Sequence, residues 1–310
     1  MNQPESRVSN LTEVIRKTTF VEASRLSKRL GVDLTIATET FQHTGSFKFR
    51  AAYNLASKVS QGQIIAASSG NFGQAMAYAC SLLGKSCIIV MPVTSAQVKI
   101  DAVREFGGTV DLIDVKEKSR SGRVEELARD NPDAYVASAY DDPLVIEGNA
   151  SLGAELAALD FDFVIAPVGG GGLTSGIITG LRARGSDAKV VGAEPLMAND
   201  AARSLRAGKI VVNETEPQTI ADGARTVSVG HHNWAVLKDG LARIVEVPEE
   251  DIKKGVRLLF GLANLKSEAT GALSVGGLLT EPDRFRDRRV CCVISGGNVD
   301  PEVYRSILAS

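Results

Sequence analysis

Apolar positions recur along the chain in two forms, short unbroken runs and longer segments with apolar residues at helical spacing. The short runs fall at residues 34–38, 63–67, 86–91, 110–115, 135–139, 163–168, 189–193, 243–247 and 289–294. Each has the length of a strand. The runs at 86–91 and 289–294 are apolar almost throughout, as strands buried on both faces are. Helical spacing predicts helices over 11–17, 22–30, 48–58, 74–83, 95–106, 119–129, 143–159, 173–184 and 249–261. Several of these are closed by glycine, at Gly31, Gly84 and Gly107-Gly108, where a left-handed residue stops a helix. Periodicity weakens over 199–230. Regular alternation of the two forms predicts an α/β protein of two lobes, each with a mostly parallel sheet flanked by helices. Ligands of such folds sit in loops at the carboxyl ends of strands, so those loops are where chemistry is sought.

Composition narrows the choice of partners. The 310 residues are 44% hydrophobic and 23% charged, with a net charge of -2. That balance gives no bulk attraction to nucleic acid or to a membrane surface. Residues 1–7 are polar and lack the apolar centre of a secretory signal, and no apolar run has membrane-spanning length. Cys80, Cys87, Cys291 and Cys292 lie in or beside apolar elements, as buried thiols do, and form no disulfide framework. Three histidines and no CxxC pair speak against a zinc site. The expected setting is the reducing cytoplasm.

Four strand-end loops and one lysine segment stand out. Gly169, Gly170, Gly171 and Gly172 join a strand to a helix. Successive glycines can turn their N–H groups onto a phosphate beside the positive end of the helix dipole, or form only a flexible turn. The spacing is a poor dinucleotide fingerprint, because Thr174 takes the third glycine position. The turn Ser68-Ser69-Gly70-Asn71-Phe72 can offer hydroxyls and N–H groups to a carboxylate, or cap the next helix. Ser295-Gly296-Gly297-Asn298 ends the last strand with a hydroxyl able to donate and accept. Glu194, Ala198 and Asp200 place two carboxylates around a backbone carbonyl, suited to a hard cation or to a solvated acidic loop. Lys48 stands between Phe47 and Phe49 in Gly45-Ser46-Phe47-Lys48, and an apolar surround lowers a lysine pKa toward nucleophilic use.

In this order the segments resemble the fold-type II pyridoxal-phosphate enzymes, in particular the serine/threonine dehydratase and serine racemase family. The resemblance rests on Gly45-Ser46-Phe47-Lys48, Ser69-Gly70-Asn71, the glycine tetrad and Ser295-Gly296-Gly297-Asn298, with Ala221-Asp222-Gly223 and Glu268-Ala269-Thr270-Gly271 in support. It covers nearly the whole chain and implies a tryptophan synthase β-like fold. It implies a large cofactor-binding domain of residues 1–51 and 141–310 and a small mobile domain of 52–140. It implies pyridoxal 5'-phosphate held by Lys48, packed by Phe47, bonded at the ring hydroxyl by Asn71 and at the ring nitrogen by Ser295, with the four glycines around the phosphate. Lys48 and Ser69 become the catalytic candidates on opposite faces of the cofactor. Ser68, Ser69, Asn71 and Phe72 become substrate contacts. Glu194, Ala198 and Asp200 match the family's site for Mg²⁺, or for Mn²⁺ or Ca²⁺.

The implied reaction is loss of water and ammonia from a β-hydroxy amino acid, by default L-threonine or L-serine, giving a 2-oxo acid. Racemisation of serine and dehydration of 3-hydroxyaspartate are the alternatives, and a nucleotide-binding dehydrogenase is the alternative from another class. A homodimer acting on a small amino acid is expected, with no regulatory domain after Asn298. The pattern breaks at Phe72, where the family has histidine, at Asn149-Ala150-Ser151, at Thr18-Thr19 and at Ala51. These departures bear on substrate choice. So do Arg225, His231 and His232, any of which could meet a second substrate carboxylate.

Overall fold

A computed structural model describes residues 10–68, 70–95 and 97–310. Its strands are β1 (Thr19–Glu22), β2 (Asp33–Thr38), β3 (Gln63–Ala67), β4 (Ser86–Pro92), β5 (Thr109–Ile113), β6 (Tyr135–Ala137), β7 (Phe163–Pro167), β8 (Lys189–Pro195), β9 (Leu241–Val247) and β10 (Arg289–Ile294). They build two sheets, of order β1-β2-β10-β7-β8-β9 and β5-β4-β3-β6. All pairings are parallel except that of the edge strand β1 with β2.

Two-residue alternation explains why the central strands are apolar throughout. Val290, Cys292 and Ile294 join Ile165 and Val191 on one face of the larger sheet, while Cys291 and Val293 join Val164 and Ala166 on the other. The neighbouring cysteines therefore point into opposite cores, and all four cysteines are buried free thiols as the composition suggested. The smaller sheet has its main core against helices Lys48–Lys58 and Asn71–Leu82, and a second against Arg120–Asp130.

Differences from the expected elements are local. The helix foreseen at 11–17 is Leu11–Val14, ending where Ile15 turns extended, and β1 follows in a stretch assigned no strand. Its four residues alternate half-buried and exposed, too short a signal to read. Helix Leu273–Thr280 was also not foreseen. It is buried on nearly every side and holds Gly276 and Gly277, so it lacks an amphipathic stripe.

Candidate active site

The loops singled out in the sequence converge on one cleft of about 360 Å³, lined among others by Phe47, Lys48, Asn71, the glycine tetrad and Ser295. It lies at the carboxyl ends of the parallel strands, between the two sheets.

Backbone bonds across a wide sequence gap set the position of Lys48. Phe47 N–H donates to Ser295 O (3.0 Å), Gly297 N–H donates to Gly45 O (3.0 Å), and Ser46 bridges Gly296. Gly45 has φ +70°, and a Cβ there would lie 2.5 Å from Asn298 Oδ1, so no other residue fits. Lys48 then opens helix Lys48–Lys58, its Nζ donating to Ala139 O (2.7 Å) and lying 5.1 Å and 5.7 Å from the ring centres of Phe47 and Phe72. Burial brings its pKa down to about 8, with the Glu268 carboxylate pulling the other way. The positive end of its own helix also disfavours the ammonium. A neutral amine is therefore accessible near neutral pH, as a nucleophile or a base requires.

Two residues further on, Arg50 is fully buried. It donates to Glu39 through Nε (2.7 Å) and Nη2 (3.0 Å), to Glu155 (2.9 Å), to Ser151 Oγ (2.9 Å) and to Thr18 Oγ (2.9 Å). This knot fixes the first turn of the lysine helix to β2, to the chain entering β1 and to helix Pro143–Leu156.

The glycine tetrad is built to face a ligand. Its carbonyls are tied from outside: Gly170 O accepts from Gly230 N (3.0 Å) and Asn233 Nδ2 (2.7 Å), and Gly172 O from Asn149 Nδ2 (3.0 Å). Its N–H groups find no partner among the described residues and open at the start of helix Gly172–Ala183. A Cβ on Gly170 would stand 2.2 Å from the Tyr140 ring. Unpartnered N–H groups at a helix N-terminus are an anion site.

Asn71 Nδ2 is bonded to both oxygens of Glu268 (2.9 and 3.1 Å), while Asn298 (2.9 Å) and Gln74 (3.3 Å) donate to its Oδ1. Glu268 is buried, and burial followed by repulsion from Asp222 raises its pKa to about 7. Ser68 Oγ accepts from Gly70 N (3.3 Å) and Gly73 N (3.0 Å), so it caps the following helix and keeps its proton to donate. Phe72 is buried in the cleft wall. Ser295 Oγ is buried without a partner among the described residues. Ser69 lies outside the described residues.

Glu194, Ala198 and Asp200 cluster away from the cleft, at the end of β8. Both Glu194 oxygens accept N–H groups of helix Asp200–Ala207, from Ala201 and Ala202 (2.9 Å each). Asp200 Oδ1 accepts from Asn213 (3.1 Å), and its buried Oδ2 has no partner. Burial and then Asp200 push the Glu194 pKa well up, and burial raises that of Asp200 to about 6. Among the described residues no group of three or more His, Cys, Asp or Glu side chains is arranged for a metal. His231 and His232 are exposed at the start of helix His231–Gly240, where their N–H groups bond Asp141 (2.9 Å each); only Arg225 of the three expected cations lines the cleft.

Glu268, Asn149, Asn233 and Arg50 carry much of this architecture and were not assigned roles from sequence. Glu268 lies in a segment that resembled the family, which was its one available signal. The two asparagines look like ordinary helix residues until their carbonyl partners are seen.

A buried lysine of lowered pKa, open N–H groups at a helix start and a buried hydroxyl with no partner among the described residues thus share one cleft. The chain belongs to the pyridoxal-phosphate dependent enzymes, whose family profile matches residues 11–296. It is 35% identical over 302 residues to an L-threo-3-hydroxyaspartate ammonia-lyase from Pseudomonas sp, covering 94% of this chain and 93% of the relative. It is 31% identical to serine racemase of Schizosaccharomyces pombe, covering 98% and 95%. The threonine deaminase isoform 2 structure from Solanum lycopersicum superposes with TM-score 0.90 at 30% identity, covering 97% and 90%. The fold is the tryptophan synthase β-like, fold-type II architecture. Among the described residues no helix is long and apolar enough to cross a membrane.

Proposed function

We propose that the protein is a pyridoxal-phosphate dependent ammonia-lyase of β-hydroxy amino acids, with L-threonine and L-serine as default substrates. The observation that carries this reading is the buried Ser295 hydroxyl, without a partner among the described residues, in the same cleft as a lysine of lowered pKa. The residues present suit the cofactor. Lys48 would hold it, Phe47 pack it, Gly169, Gly170, Gly171 and Gly172 receive its phosphate, and Asn71 and Ser295 bond its ring. Bound there, the cofactor supplies an electron sink for the substrate's α-carbon. A serine at the ring nitrogen keeps that sink shallow, where a carboxylate would deepen it, and a shallow sink suits prompt loss of a β-hydroxyl.

The chain's own groups do the rest. Lys48, once neutral, takes the α-proton. Ser68, Asn71 and the free N–H groups at the start of helix Asn71–Leu82 meet the substrate carboxylate. Ser69 stands for the opposite face, where a proton return would racemise. Phe72 walls the side-chain pocket and keeps water from it. Glu268, poised near pH 7, sets the hydrogen-bond direction of Asn71.

Two further readings have specific support. Arg225 lines the cleft with no carboxylate at ion-pair distance among the described residues, which favours 3-hydroxyaspartate among hydroxy amino acids. The similarity to serine racemase supports racemisation as a companion activity. A panel of L- and D-hydroxy amino acids, scored for 2-oxo acid and for inverted amino acid, tests all three. Oxo acid from none of them refutes the lyase reading.

The reading includes Mg²⁺, or Mn²⁺ or Ca²⁺, at Glu194, Asp200 and the Ala198 carbonyl. Two mutually repelling buried carboxylates and the orphan Asp200 Oδ2 support it. It includes residues 52–140 moving as a small domain over 1–51 and 141–310. It also includes a homodimer, for which the exposed apolar groove around Phe260, Tyr304 and Leu308 offers a face. Four free thiols suit a cytoplasmic location.

A further inference from the structure

The cations of the cleft differ in what already holds them. Lys99, on helix Gln97–Glu105, is paired with Asp222 (2.5 Å), and Arg120, on helix Arg120–Asp130, with Glu216 (2.9 Å). Both pairs cross from the smaller-sheet lobe to the loop before and within the turn Asp222–Ala224. Arg225 is different. Its Nε donates to Thr219 O (2.8 Å), and no carboxylate lies within ion-pair distance of its guanidinium among the described residues. Yet it is half-buried and lines the same cleft.

Its backbone is also held close to the reacting region. The preceding turn packs on the glycine tetrad, where a Cβ on Gly169 would lie 2.9 Å from Gly223 O and 3.0 Å from Ala224 Cα. Gly223 N–H is bonded to Thr270 Oγ (2.9 Å), on the segment that carries Glu268. A guanidinium oriented by one bond through Nε keeps its two terminal nitrogens for a planar, bidentate acceptor.

We propose that Arg225 is the anchor for the distal carboxylate of a dicarboxylic β-hydroxy amino acid, and so a specificity-determining residue of this enzyme. Lys99 and Arg120 already face carboxylates, whereas Arg225 has none at ion-pair distance among the described residues. The proposal rests on the ammonia-lyase reading and names the substrate class within it. It also sets Arg225 apart from a role toward the cofactor phosphate, which shares the anionic chemistry and lies nearby.

The test uses the holoenzyme and the variants Arg225→Gln and Arg225→Lys. For L-threo-3-hydroxyaspartate against L-serine, the ratio of kcat/KM values should fall about ten- to a hundredfold in Arg225→Gln, mainly through KM. Arg225→Lys should recover part of that loss. Succinate, titrated against the cofactor absorption of the resting holoenzyme, should bind about tenfold or more weakly to Arg225→Gln, and propionate should show no such difference. Pyridoxal phosphate affinity should stay within about twofold of wild type. An unchanged substrate ratio, succinate binding indifferent to the substitution, or a loss of cofactor affinity in its place each overturns the proposal. The succinate arm needs no turnover, so a protein that eliminates from no hydroxy amino acid fails the lyase reading while the anchor is still judged.

Discussion

Replacing Arg50 by methionine keeps most of the side chain's length and removes its charge. The guanidinium and the Glu39 carboxylate are both out of solvent, and Glu155 is about one quarter exposed. Without Arg50, Glu39 is a buried charge with only Thr18 Oγ to support it. Breaking a buried pair from one side costs about 3–5 kcal/mol. With an unfolding entropy of about 2.1 cal/mol/K per residue, that corresponds to a fall of about 5–8 °C in midpoint. The penalty should also depend on pH. Burial raises the Glu155 pKa, but its bonds to Arg50 and Thr18 outweigh that and hold it below the usual value. A depressed carboxylate contributes stability above its unfolded pKa of about 4.3 and loses it as pH falls through the folded value. Methionine removes that contribution, so the gap between wild type and variant should stay level from pH 7 to about 4.3 and narrow only below it, as Glu155 is protonated. Urea melts followed by fluorescence of Trp234 and by cofactor absorption measure both quantities. A penalty under about 1 kcal/mol at pH 7, or a gap that does not narrow as pH falls below about 4, refutes the argument that this knot holds the lysine helix.

The lysine's own pKa gives a second expectation. The rate at which cofactor-free enzyme takes up pyridoxal phosphate should rise with pH and level off above about 8, where Nζ is neutral; an inflection near 10 would show an ordinary solvated lysine. Lys48→Ala should lose turnover by at least about a thousandfold and form no lysine-bound cofactor band. Gly170→Ala should weaken cofactor affinity about tenfold or more in an equilibrium titration, because the new methyl meets the Tyr140 ring; unchanged affinity would mean that the cradle tolerates the shift. Mg²⁺ should raise the melting temperature more at pH 7 than at pH 5, since Asp200 ionises near 6, and Asp200→Asn should abolish the rise; a shift that survives in Asp200→Asn places the ion elsewhere.

The parts legible in the sequence were those governed by local chemistry. Parallel strands buried on both faces announce themselves as apolar runs, and β4, β7 and β10 fell close to where the runs lay. Gly169 to Gly172 were legible because four glycines between a strand and a helix need a reason. Lys48 was legible only through its neighbours in the ordered set. What escaped depends on pairing over long separations. Arg50 meets Glu155 across 105 positions, and Asn71 meets Glu268 across 197. Nothing local to either residue encodes that meeting. The histidine pair is solvated, and proximity in sequence to Asp222-Gly223 did not carry over to the cleft, because His231 and His232 lie exposed at the start of helix His231–Gly240.

The position of β10 has a consequence for how the protein is made. Residues 289–294 form a strand in the interior of the larger sheet, between β2 and β7, and Gly296 closes the bridge to Ser46. During translation, β2 and β7 emerge long before the strand that must separate them. Until it arrives, the sheet has two unpaired inner edges, and the loop carrying Lys48 lacks its backbone bonds to Ser295 and Gly297. Cofactor capture should therefore be among the last events in the life of the nascent chain. A chain stopped short of residue 289 would hold its lysine and its glycines yet have no site, with exposed edges open to aggregation.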